Sequence, residues 1–240
     1  MSRAAPPPDR NEPSAADDVA ESRIVEAWLG VADPWTRAVR EQRIDSRRLV
    51  TDRAIVEVVG ELAPRRVLDI GCGEGWLARA MAETGIEATG VDVSPELIER
   101  AREAGGGRFE VRSYDALADD VEWREHFDVC ACNFSLLGKQ SVEHLLAAIP
   151  RMLVAGGALV VQTLHPHVAC GDHEYHDGWR DGTWAGINGA FGAPAPWYFR
   201  TMESWVNMYI DCGFCHIDVR EPLHPLTGAP ASLIVIGHAD

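Results

Sequence analysis

Long apolar runs are missing from this 240-residue chain. Nowhere do about eighteen apolar residues follow one another, the length a helix needs to cross a bilayer, so no membrane partner is expected. The opening stretch, MSRAAPPPDRNEPSAADDVAES, lacks the apolar centre of a secretory signal. Its Pro, Ala, Asp and Glu content predicts a disordered tail over residues 1–21 of a cytoplasmic protein. Paired cysteines are missing as well. Cys72, Cys130, Cys132, Cys170, Cys212 and Cys215 follow no paired spacing, and the first three sit in or beside strand-like apolar runs, as reduced buried thiols do. Positive charge is scarce: 22 Lys and Arg face 37 Asp and Glu, for a net charge of −15. The average field repels a polyanion, so nucleic acid is not an expected partner. No internal repeat is visible. What remains is a chain that is 46% hydrophobic and long enough to bury one core without a disulfide or metal.

After the tail, residues 22–62 read as helical, with turns near Gly30 to Pro34. Leu49, Ile55, Val56, Val59 and Leu62 fall near one helical face. Strands and helices then alternate. VLDI (67–70) is a continuous apolar run, as expected of a strand covered on both faces, and GWLARAMAETG follows as a helix ending at Gly85. EATGVDV (87–93) is a second strand. Ser94 then caps a helix that carries Pro95 at its first position. RFEVRSYD (108–115), FDVCACNF (127–134) and ALVVQTL (158–164) supply three more strands, with a helix over SVEHLLAAIPRML between the last two. Residues 165–200 are rich in His, Trp, Gly and Pro and show no period. A helix over TMESWVNMYIDCGF and two strands, CHIDVRE and SLIVIGHA, close the chain. Such alternation predicts an α/β fold with a mainly parallel sheet covered on both faces, and a ligand site beyond the C-terminal strand ends.

The loop after the first strand reads Asp69-Ile70-Gly71-Cys72-Gly73-Glu74-Gly75. Glycine lets the backbone turn sharply and approach a ligand closely. Roughly 20 residues downstream, Asp92 ends the second strand, where a carboxylate can accept two hydrogen bonds from ribose hydroxyls. Asp115 follows the third strand, within reach of an adenine amino group. A dinucleotide enzyme would also want glycines and an acid. Its fingerprint, however, needs a small residue where this chain has Trp76. Asp69 before the glycines suits a ligand with a cationic amine and no pyrophosphate.

VLDIGCGEG, GVDVSPELIERA, YDAL, FDVCACNFSLLG and LVAGGALVVQTLHP, in that order, resemble the motifs of class I (Rossmann-like) S-adenosylmethionine-dependent methyltransferases of the small-molecule type, over about residues 50–165. The resemblance implies a seven-stranded, mostly parallel doubly wound sheet of order 3-2-1-4-5-7-6, the last strand antiparallel. It implies S-adenosyl-L-methionine as cofactor. Gly71 and Gly73, with Cys72 between them and Trp76 beyond, would lie at the methionine part. Asp69 would lie near its ammonium, Asp92 on the ribose, Val93 against the adenine, and Asp115 and Ala116 at the adenine edge. Asn133 would lie near the sulfonium and the acceptor. Nucleic-acid base methyltransferases often carry Asn-Pro-Pro-aromatic after the fourth strand; here the run is Asn133-Phe134-Ser135-Leu136. Ala155 stands where that family often has Pro, a change expected to be structural only.

Methyl transfer needs a nucleophile held in line about 3 Å from the methyl carbon, and positioning alone can supply much of the rate. Where a base is used, histidine suits neutral pH. His165 directly follows the fifth strand and is expected to face the cleft and bind or deprotonate the acceptor. With His167, His173, His176 and Asp172 it matches no tight zinc motif, so no metal is expected. Residues 165–205 fall where this class often inserts an acceptor-covering lid. His167, Tyr175, Trp179, Trp197 and Tyr198 are the expected walls, suited to a planar or cationic acceptor. From the N-terminal cap, Trp35 would join them, and Arg47 would clamp an acceptor carboxylate. The reading is a methyltransferase domain over 22–240, monomeric or homodimeric, that methylates an O, N or S atom of a small, aromatic or heteroaromatic metabolite. A non-catalytic cofactor-binding module, a nicotinamide oxidoreductase and an enzyme acting on a macromolecule are the alternatives.

Overall fold

A computed structural model describes residues 14–187 and 189–240. It opens on α1 (Ala15–Leu29), α2 (Ala32–Arg40), a π-helical turn over Arg47–Thr51 and α3 (Asp52–Glu61). The α/β alternation follows: β1 (Arg66–Ile70), α4 (Trp76–Glu83), β2 (Glu87–Asp92), α5 (Pro95–Ala104), β3 (Arg108–Val111), α6 (Tyr114–Ala118), β4 (Phe127–Asn133), α7 (Gln140–Ala148) and β5 (Leu153–Thr163). Then come α8 (Pro166–Ala169), a small hairpin of β6 (Gly178–Arg180) and β7 (Trp197–Phe199), α9 (Met202–Asp211), β8 (Cys215–Arg220) and β9 (Leu233–His238).

Seven strands form one sheet of order β3-β2-β1-β4-β5-β9-β8. Neighbours from β3 to β5 run parallel, and β9 is antiparallel to both β5 and β8. Apart from the hairpin strands, this is the expected order and polarity. Side chains alternate across a strand, so each central strand feeds two cores. Leu68, Cys130 and Cys132 face α7 and α9, while Val67, Val129 and Ala131 face α3 and α4. Burial pushes the Cys130 and Cys132 thiols well above their usual range, as expected of packed, reduced cysteines. No helix among the described residues is long and apolar enough to cross a membrane.

The expected tail over 1–21 is shortened by the structure. Residues 1–13 lie outside the described residues, but from Ala15 the chain is helical. Ser14 and Asp17 form a reciprocal capping box that supplies the first turn with partners. Tertiary contacts then bury Asp17. The third strand also ends early, because Ser113 caps α6 at once and leaves Asp115 on a helix.

Candidate active site

The strand tips build the site. The backbone N–H groups of Gly71 and Cys72 both donate to the Val91 carbonyl, at 2.8 and 2.9 Å, which folds the glycine loop back over β2. Gly71 has φ +73°, and a Cβ there would stand 2.3 Å from the Ser135 Cβ, so the β1 and β4 loops touch backbone to side chain. The Ser135 hydroxyl donates to the Ile70 carbonyl at 2.7 Å, and the Tyr114 hydroxyl donates to the Ser135 carbonyl at 2.8 Å. Burial drives the Tyr114 phenol well above its usual range, so it stays a donor. Asp92 accepts from the Gly73 N–H at 2.9 Å and the Ser94 N–H at 2.8 Å. Phe134, just past β4, holds φ +54°, a strained conformation for a residue with a Cβ and one common at functional sites.

These tips surround a cavity of about 290 Å³. Of the residues expected to meet the cofactor, Gly71, Gly73, Asp92, Val93, Asp115 and Asn133 line it. Asp69 sits below the loop, 2% exposed. Burial, and then the neighbouring Asp92 charge, push its carboxyl up to about 7. Cys72 turns its thiol inward against Gly90. Trp76 opens α4 under the Arg47 guanidinium, which lies 4.7 Å from the ring centroid. Ala116 lies in α6 and donates its N–H to the Ser113 hydroxyl.

The residues expected on the acceptor side scatter more. Trp35 lines the cavity. His165 does not face the cleft as expected. β5 runs on to Thr163 and α8 starts at Pro166, so His165 is a buried cap residue whose Nε2 lies 2.7 Å from Glu221, beyond β8. His167 stacks on Tyr175, whose hydroxyl accepts from the Met202 N–H. No residue of 165–205 is among those lining the cavity; Trp179, Trp197 and Tyr198 instead belong to the β6/β7 hairpin behind it. The cover is α1, through Ile24, Val25 and Trp28. Trp179 donates from Nε1 to Asp17 at 2.7 Å, and Tyr198 N–H donates to the Leu137 carbonyl, so the hairpin braces α1 and the β4 loop. Among the lining residues that sequence reasoning missed are Glu21, Trp28, Tyr114 and Phe134. Tyr114 and Phe134 adjoin expected residues in YDAL and CNFS, but α1 gave no local sign of its destination.

Among the described residues no group of three His, Cys, Asp or Glu side chains is arranged to hold a metal ion. S-adenosylmethionine fits what is present. Asp92 offers a carboxylate at the tip of β2, where it lines the cavity, and Gly71 and Gly73 leave the loop open to close approach. The buried Oδ2 of Asp69 and Oδ1 of Asn133 lack protein partners and call for a hydrogen-bond donor.

A family model described as a methyltransferase domain matches residues 67–157. The ubiquinone biosynthesis O-methyltransferase of Xanthomonas oryzae pv. oryzae is 36% identical over 110 residues, 44% of this chain and 45% of that protein. The demethylmenaquinone methyltransferase of Tropheryma whipplei is 33% identical over 116 residues, 48% of each chain. The chain thus spans about half the length of the curated relatives it matches. Among solved structures, the 1,6-didemethyltoxoflavin-N1-methyltransferase of Burkholderia thailandensis, bound to 1,6-didemethyltoxoflavin and S-adenosylhomocysteine, superposes with a TM-score of 0.67 at 18% identity, covering 96% of this chain and 93% of that one. Sheet order, glycine loop and matched domain agree: residues 67–157 are similar to a methyltransferase domain, and the chain has the fold of the class I S-adenosylmethionine-dependent methyltransferases.

Proposed function

We propose that this protein transfers a methyl group from S-adenosylmethionine to an O, N or S atom of a small aromatic or heteroaromatic acceptor. One observation carries the reading: a single cavity joins Gly71, Gly73 and Asp92 to a second wall of Trp28, Trp35, Phe134, Leu137 and the apolar face of α1. The first wall matches a nucleoside with a short polar tail. The second is apolar and aromatic, as a planar acceptor requires. At about 290 Å³ the cavity stands at the lower end of ligand pockets, roughly 300–1,000 Å³. That size favours a metabolite over a macromolecule. The three relatives named above are described by small acceptors, which agrees with this choice.

The bound cofactor supplies a methyl group on a positively charged sulfur. The chain's part is to bind, align and dry the site. Asp92 and the glycine loop fix the nucleoside end. Asn133 and Phe134, at the tip of β4, set the boundary between cofactor and acceptor. Trp28 and the α1 side chains exclude water, which strengthens each electrostatic contact. No histidine, lysine or cysteine side chain is among the lining residues, and the lining carboxylates Glu21 and Asp92 accept from backbone N–H groups while Asp115 pairs with His144, so the acceptor atom enters with its own lone pair available and is positioned rather than activated. Calorimetry with S-adenosylhomocysteine, followed by turnover of a labelled cofactor against a panel of phenols, N-heterocycles and thiols, tests this. Binding and labelled product are expected. Binding without turnover of any acceptor points to a non-catalytic module, and no binding rejects the reading.

A further inference from the structure

The cavity wall formed by α1 is acidic as well as aromatic. Glu21 lines it together with Trp28 and Trp35, Asp92 and Asp115 line the remainder, and no lysine, arginine or histidine is among the described lining residues. We propose that the acceptor atom is a neutral ring nitrogen, and that Glu21 stabilises the positive charge the ring gains on methylation; this deepens the methyltransferase reading above and rests on it.

Glu21 shares one face of α1 with Ile24, Val25 and Trp28, at spacings of three, four and seven residues. Its Oε1 accepts from the Lys139 and Gln140 N–H groups at 2.7 and 2.9 Å, and its Oε2 accepts from the Ser141 hydroxyl at 2.7 Å. Gly138 leaves it room, since a Cβ there would overlap the carboxylate. These partners are uncharged; the α7 terminus offsets roughly half a unit charge and the rest remains. The nearby cations are engaged elsewhere. Lys139 Nζ donates to Asp17, and the buried Arg200 donates to the Gly138 and Lys139 carbonyls and faces Glu143. Asp17, Glu21 and Glu143 thus outnumber the two cations, and neither cation lines the cavity. Arg47, expected from sequence to clamp an acceptor carboxylate, is not a lining residue either; its Nε donates to Asp52 at 2.8 Å.

The sign of this wall selects the nucleophile. Oxygen and sulfur acceptors attack most readily as anions. A phenol of pKa about 10 is ionised at pH 7 to roughly one part in a thousand, and an acidic wall lowers that fraction further. Tyr114 cannot take the proton, because its phenol is held as a donor to the Ser135 carbonyl. A neutral aromatic nitrogen needs no deprotonation. Its lone pair forms the N–C bond as the C–S bond breaks, and the pair of that broken bond stays on sulfur. The positive charge passes to the ring, where Glu21 and the edge-to-face indoles of Trp28 and Trp35, with centroids 5.0 Å apart, can meet it. Groups that face a charge growing on the ring stabilise the transition state more than the neutral substrate. Where the nitrogen carried a hydrogen, that proton leaves to water afterwards.

Calorimetry on the full chain saturated with S-adenosylhomocysteine tests this with three bicyclic probes of similar outline: N-methylisoquinolinium, a cation; 2-methylnaphthalene, neutral; and 2-naphthoate, an anion. Wild-type protein is expected to bind the cation at least about tenfold tighter than the anion. Glu21→Gln should weaken the cation about tenfold and leave the neutral probe within about twofold, a split that loss of the α1 contacts alone would not give. The comparison of cation and anion uses wild-type protein and so stands whether or not the variant folds. With methyl-labelled cofactor, isoquinoline should be labelled ahead of 2-naphthol. An anion bound as tightly as the cation, equal loss of cation and neutral probe in Glu21→Gln, no binding of any probe, or 2-naphthol labelled first overturns the proposal. Wild-type protein that does not bind S-adenosylhomocysteine overturns the methyltransferase reading as well.

Discussion

Glu74 sits inside the glycine loop with a side chain that is completely buried. It accepts from Arg40 Nε at 2.8 Å and twice from Arg79 Nη2 at 2.7 Å, while Arg79 Nη1 donates to the Glu74 carbonyl. Three charges thus clamp the loop between α2 and α4. A buried carboxylate that loses one of two cations keeps its desolvation cost without full compensation. Replacing Arg79 with Met should therefore cost about 3 kcal/mol in urea unfolding. An Arg79→Met protein as stable as wild type would show that Arg40 alone satisfies the site. None of this was legible in the sequence, where Glu74 reads as one spacer among glycines and its partners lie on other elements. Gly71, Gly73 and Asp92 were legible because their jobs are local. A left-handed turn needs glycine, and a strand tip presents its carboxylate whatever packs behind it.

Helix α1 shows how far such reading reaches at the scale of elements. The Ser14–Asp17 capping box is a local sign of a helix start, yet the Ala- and Asp-rich composition suggested a tail. What decides the matter lies more than a hundred residues away. Glu21 accepts from the backbone N–H groups of Lys139, Gln140 and Ser141 at the start of α7, and Asp17 accepts from Lys139 Nζ and Trp179 Nε1. Lys139 is the sole lysine of the chain. The Trp179 hydrogen bond, ahead of Lys139, holds the Asp17 carboxyl down at about 2, so the latch stays charged at any physiological pH. Since α1 covers the cavity, the latch should control ligand exchange. Asp17→Asn is expected to raise amide exchange in α1 and the dissociation rate of S-adenosylhomocysteine together, with the sheet unaffected. Faster exchange without faster dissociation would mean that ligands pass by another route. The same distance problem hid His165. Position after β5 suggested a cleft residue, but its partner Glu221 comes from beyond β8. His165→Ala should lower the thermal midpoint while kcat/KM stays near wild type; a loss of more than about tenfold in kcat/KM at unchanged stability would return His165 to the chemistry.

On the scale of the whole molecule, a net charge of −15 and two aspartates beside the glycine loop, Asp69 buried and Asp92 half-buried, act in one direction. Asp69 is raised to about 7 and Asp92 is raised as well, both chiefly by burial. A carboxyl whose folded value lies above its unfolded value contributes stability below the unfolded value, near 3.8, and loses it as pH rises through the folded value. Ligand-free protein should therefore lose thermal stability progressively from about pH 4 to about pH 7, helped by growing self-repulsion. A cationic amine beside Asp69 favours its ionised form, so binding releases a proton in that window and strengthens as pH rises. Thermal midpoints with and without S-adenosylhomocysteine should separate as pH increases, because the ligand cancels part of the loss. Calorimetry in buffers of different ionisation enthalpy should detect the released proton. Asp69→Asn cannot lose it, and should show a flatter profile and weaker binding. If wild-type affinity instead stays constant across this window with no proton released, Asp69 is already charged without ligand, and the desolvation argument for its raised value is wrong.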